Sequence, residues 1–145
     1  MNQSFRLRTK NKRQLLLAIM RALANEHTHI SFEGHLGHTE LMKLEGARFE
    51  ETAVLRRGTI SPVLDFVVLP LTPASLPLIE KAVVSRIAFR SSRGIIHVQI
   101  ETRGEMAFAA YDQFHAECVV AYSPVPVALL AELVETHVLH SYEAA

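Results

Sequence analysis

The sequence predicts a single α+β domain over residues 1–145, a mostly antiparallel or mixed sheet of about six strands packed with about three helices. Three observations carry this expectation. Apolar residues recur at two-residue spacing in several short segments and at helical spacing in longer ones. The strand-like segments are joined by short turns marked by Gly and Pro. No repeat, low-complexity run or linker divides the 145 residues. With 49% hydrophobic and 21% charged residues and a formal net charge of zero, the composition is unlike that of a disordered chain. The single cysteine excludes an intrachain disulfide framework.

Residues 1–9 read as a basic, flexible lead-in. A helix follows over 11–24, where Leu15, Leu16, Ile19, Met20 and Leu23 make one stripe and Lys12, Arg13 and Arg21 the other side. Thr9 or Asn11 suits its start and Asn25 its end. The short apolar run and the interrupting Arg21 favour a retained amphipathic helix over a signal peptide. Residues 28–33 alternate, with Thr28, Ile30 and Phe32 on one side and His27, His29, Ser31 and Glu33 on the other. A loop with two glycines follows over 34–38. A strand is expected over 49–56 and a turn over 58–62.

Residues 64–69 are apolar at every position but Asp65, which predicts a central strand covered on both faces. A helix is expected over 75–90, with Pro77 in its first turn and Ile79, Ala82, Val83 and Ile87 as its buried stripe. Residues 95–111 read as a hairpin. A three-residue loop, Thr102-Arg103-Gly104, would pair Ile100 with Met106 and Val98 with Phe108 and keep every apolar residue on one face. That register sets Glu101 opposite Glu105, a like-charge conflict. A turn at 112–115, a strand over 116–121 and a helix over 126–137 complete the chain, the helix carrying Leu129, Leu130, Leu133 and Val134 as its stripe.

Neutrality hides an asymmetry. Positions 6, 8, 10, 12, 13 and 21 are basic and no acid occurs before residue 26. Glu105, Asp112, Glu117, Glu132, Glu135 and Glu143 are unopposed by any Lys or Arg after residue 103. The two ends then either neutralise each other within the fold or form a basic surface (Arg6, Arg8, Lys12, Arg13) for an acidic partner or for self-association.

Three constellations are candidate sites. His27 and His29, with His35 and His38 from the next loop, could ligate a divalent metal such as zinc, with Glu33 nearby; the spacing matches no defined zinc signature. Glu33, His97, Asp112 and His115 are candidate binding or acid–base residues. Cys118 sits three residues from His115, on the opposite face of an expected strand, which opposes a Cys/His nucleophile. Arg56, Arg57, Arg86, Arg90 and Arg93 could meet phosphate, but a neutral chain without tryptophan or a phosphate loop argues against nucleic acid. If the strands at 28–33 and 95–101 share a sheet, His97, Gln99 and Glu101 join His29, Ser31 and Glu33 on one polar face.

The function expected is a small cytoplasmic, non-enzymatic interaction or regulatory module that binds another macromolecule, with a protein partner or self-association, no membrane and no cofactor. The cytoplasm follows from the lone cysteine. The alternative is a metal-assisted hydrolase or small-molecule-binding enzyme built on the His27/His29 strand and its following loop.

Overall fold

The computed structural model describes residues 3–85, 88–89 and 94–145. The expected α+β class is found. One seven-stranded sheet carries three helices, in the chain order β1 (Phe5–Thr9), α1 (Lys12–Leu23), β2 (Thr28–Gly34), β3 (Asp65–Pro70), α2 (Leu76–Val84), β4 (Ile95–Thr102), β5 (Glu105–Ala110), β6 (Val119–Ala121), α3 (Val127–Glu135) and β7 (Leu139–Ala144). The spatial order is β3-β2-β4-β5-β6-β1-β7. Every pairing is antiparallel.

Cross-strand register builds the core on one face. Leu69, Ile30, Ile100, Phe108, Ala121 and Phe5 form one row across the sheet, and Val67, Phe32, Val98, Ala110 and Val119 the next. These rows share a hydrophobic cluster with Leu15, Leu16, Ile19, Met20 and Leu23 of α1, Ile79, Ala82 and Val83 of α2, and Leu130 and Leu133 of α3. The α1 stripe is the one its periodicity predicts. Its start is capped by Asn11, whose side chain accepts the Gln14 N–H at 3.1 Å.

Several expectations are corrected. Most of segment 1–9 is not a lead-in: Phe5–Thr9 is a strand inside the sheet, between β6 and β7. Residues 49–56 form no strand; Thr52 makes a local turn there by accepting the Leu55 N–H at 2.9 Å. β3 is an edge strand, not a central one. It reads as doubly buried because helices cover Val67 and Leu69 while Leu55 covers Phe66 and Val68 from the other side. β7 has no counterpart among the expected elements. The outer part of the expected second helix, with Arg86, Ile87 and Arg90, lies outside the described residues, as does Arg93.

The β4–β5 hairpin is also in another register. Ile100 faces Phe108 and Val98 faces Ala110, across a two-residue turn in which Arg103 and Gly104 both have positive φ, 53° and 81°. A two-residue turn alone would split the apolar faces. A bulge between Ile100 and Glu101 absorbs the extra residue and restores them. Glu105 then faces Thr102, so the Glu101–Glu105 conflict does not arise. Glu101 instead accepts the Gly104 N–H at 2.8 Å and pairs with His29 Nδ1 at 2.8 Å.

Gly34, at the β2 end of a second bulge, lies so close to β4 that a Cβ would collide with the carbonyl oxygen of Gly94 and approach the Ile96 nitrogen to 2.9 Å. Both obstacles are backbone and cannot turn aside. Gly34→Ala is therefore expected to lower the unfolding free energy by about 1–3 kcal/mol, read as a lower urea midpoint at an unchanged m-value.

Candidate functional site

The face of the sheet away from the helices is polar over β2 and β4, yet it is not solvated. β2 and β4 are neighbours, and their register sets Ser31 against Gln99, Glu33 against His97 and His29 against Glu101. Ser31, Glu33, His97 and Gln99 are all buried, Glu33 to 1% exposure and His97 to 5%. What covers them is the irregular segment 51–64, which crosses this face as a strap.

The strap is held by backbone amides donated to side chains of the sheet. The Glu33 carboxylate accepts the Gly58 N–H at 2.6 Å and the Thr59 N–H at 3.3 Å. Gln99 Oε1 accepts the Arg56 N–H at 2.9 Å and the Ser31 hydroxyl at 3.3 Å. Leu55 is fully buried against Phe66 and Val68. Gly58 is packed on His97: a Cβ there would come within 3.0 Å of the imidazole. At its outer side, Glu51 accepts the Arg57 N–H at 2.8 Å and Arg56 Nε at 3.1 Å. The first of these, outweighing partial desolvation, holds the Glu51 carboxyl below its ordinary range.

His97 ties the strap to a second loop. Its Nδ1 accepts the Asp112 N–H at 3.1 Å, so in the neutral ring the proton sits on Nε2 and is donated to Thr59 Oγ1 at 2.7 Å. Asp112, Gln113 and Phe114 form a left-handed turn, with φ of 52°, 57° and 63°. It is closed by Gln113 N–H to Ile96 O at 2.8 Å and His115 N–H to Tyr111 O at 3.2 Å. Tyr111 meets the His97 ring edge-on at 5.5 Å and accepts a hydrogen bond from Gln99 Nε2 at 2.6 Å. Burial raises the Tyr111 phenol above its ordinary range; the Gln99 bond pulls the other way.

Of the candidate binding residues, the structure brings Glu33 and His97 together and joins Asp112 to them through its backbone N–H. The Asp112 side chain lies instead 3.8 Å from Cys118 Sγ. The Cys118 thiol is raised above its ordinary range by desolvation first and then by Asp112, the reverse of an activated nucleophile. His115 is exposed and accepts only the Glu117 N–H, at 3.3 Å.

The candidate metal ligands do not converge. His27, His35 and His38 are exposed and His29 is engaged by Glu101. Among the described residues no group of three His, Cys, Asp or Glu side chains is placed to hold a metal ion. Arg6 and Arg8 share the Glu117 carboxylate at 3.7 and 3.8 Å, so there the two ends of the chain neutralise each other. Lys12 and Arg13 lie over the Phe89 ring at 5.2 and 5.8 Å, and Arg13 donates to Ser85 O at 2.9 Å.

Sequence reasoning placed Gln99 on this polar face but missed Gly58, Thr59 and Tyr111 as members of the network. The available signal was the string of polar residues on one face of each strand. That pattern does not reveal that a third segment covers the face.

Glu33→Gln keeps the shape but turns a donor toward the Gly58 or Thr59 N–H. It is expected to cost about 1–3 kcal/mol and to speed hydrogen exchange at those two amides before the strands respond. Because folding favours the neutral Tyr111 phenol, that contribution is complete below about pH 10 and is lost as pH rises through the raised folded-state value. Alkaline unfolding curves are expected to show a fall in stability that Tyr111→Phe makes shallower.

Comparison of the chain with protein-family models, curated proteins and solved structures yields no significant match.

Proposed function

We propose that this chain is a non-enzymatic interaction module whose docking element is the tip of the strap. The observation that carries the proposal is the pair Ile60 and Val63, 91% and 78% exposed, on a loop whose root is clamped by buried groups. Single exposed aliphatics are ordinary on protein surfaces. Two on one short tip, beside a buried carboxylate and imidazole that fix its root, are better explained by presentation to a partner. A loop already held in place loses little conformational entropy on binding. The partner of matching chemistry is a protein with an apolar recess.

The strongest acid–base candidates support this reading. Glu33 and His97 are sealed from solvent, and their hydrogen-bonding atoms are engaged by the strap and the Asp112 turn. The metal-assisted alternative lacks a convergent ligand group among the described residues. No helix among the described residues is long and apolar enough to cross a membrane. The single, unactivated cysteine suits a reducing compartment, the cytoplasm in this proposal.

The test compares proteins retained from the native cell extract by the wild-type chain and by Ile60→Asp/Val63→Asp. Both sites are exposed, so the melting temperature is expected to stay within a degree or two. Affinity for a specific partner is expected to fall at least about thirtyfold. Equal retention by both proteins at equal stability would sink the proposal.

A further inference from the structure

The two edges of the sheet are finished differently. On β3, Val68 exchanges both main-chain hydrogen bonds with Arg48, at 3.0 and 2.7 Å, and the strand runs into Pro70. Both features block further pairing. On β7 no described residue pairs with the outer edge. The strand Leu139–Ala144 contains no proline or lysine and a single acid, Glu143.

The phase of its outward groups follows from the register. Ala145 N–H donates to Ser4 O at 3.0 Å, so the pairs Arg6–Glu143 and Arg8–Ser141 share that hydrogen-bonded phase. The N–H and C=O groups of Tyr142 and Ala144 therefore point away from β1, while His140 is the extra residue of a bulge between the Arg8–Ser141 and Thr9–Leu139 pairs.

We propose that this edge is an interface with a second copy of the chain, β7 pairing with itself antiparallel about a twofold axis at Tyr142. That register uses the outward groups of Tyr142, which exchange hydrogen bonds with Tyr142 of the partner subunit. It also completes a charge pattern. On the strap side, Glu143 sits beside Arg6 of its own chain and opposite Ser141 of the partner subunit, which is followed by Arg8 of the partner subunit. Each Glu143 is thus flanked by two arginines. Those arginines otherwise share the one carboxylate of Glu117 at long distance. A register centred on Ser141 would set Glu143 against Leu139 and lose this match. The strap lies over β2, β3 and β4, at the far end of the sheet, so self-pairing leaves both tips free and makes the module bivalent. The interface does not depend on the role proposed for the tip.

The experiment is sedimentation equilibrium of the full chain over a wide micromolar range, with three variants. The wild type is expected to populate a dimer. Tyr142→Pro removes an outward N–H and no intramolecular ladder bond, and is expected to weaken the dimer at least about tenfold, or 1.4 kcal/mol. Arg8→Glu is expected to weaken it similarly, and Arg8→Glu/Glu143→Arg to restore it. If Tyr142→Pro does not fold, the charge variants decide. A wild type that stays monomeric, or a dimer indifferent to the folded variants, would overturn the proposal.

Discussion

A carboxylate taken out of water has to be met by donors, and at Glu33 the donors are backbone amides of a segment some 25 residues further along the chain. Hydrogen bonds to a charged group contribute about 1.5–3 kcal/mol each, while desolvating the carboxylate costs several kcal/mol. The two terms are of similar size, so the contact adds little net stability. Its effect is on specificity. The placement of residues 58 and 59 that satisfies Glu33 holds the strap across β2 and β4. None of the ion pairs among the described residues involves Glu33, so no flexible cation can stand in for those amides.

The two faces of the sheet are consequently held by different physics. The helix face is a continuous apolar layer, proportional to area and indifferent to direction. Among the described residues the strap face carries the small apolar cluster of Leu55, Phe66 and Val68 and depends on directional bonds through Glu33, His97 and Gln99. His97 matters because it accepts from one loop and donates to another, so the strap and the left-handed turn at Asp112 are coupled through a single ring. Buried networks of this kind specify one arrangement when fully satisfied and are costly when one member is missing.

Charge follows the same economy of placement. The basic start of the chain enters the sheet beside β6 and β7, and its arginines meet acids from the other end. That offsets part of the long-range asymmetry within one molecule. It also makes β7 the strand on which residual charge and unpaired backbone coincide, whereas the β3 edge is protected by Arg48 and Pro70.

Much of the fold was legible in the sequence because its signals are local. Helical spacing identified α1 to within a residue at each end, and strict alternation identified β2, β4 and β5 and which side chains share a face. Glu33 and His97 were recognisable as chemically conspicuous. The sequence could not reveal that they are neighbours covered by Gly58 and Thr59, because that depends on where a segment without periodicity comes to rest. Nor could it distinguish a three-residue hairpin loop from a two-residue turn with a bulge, since both keep the apolar residues on one face. Composition and periodicity by themselves determined the α+β class and the inward faces of the three helices and of β2, β4 and β5, because burial of apolar side chains in those elements is read from spacing alone. Strand order, the edge position of β3, the entry of β1 and the burial of the polar face were decided only by the tertiary structure, because each depends on pairing between residues far apart in the chain.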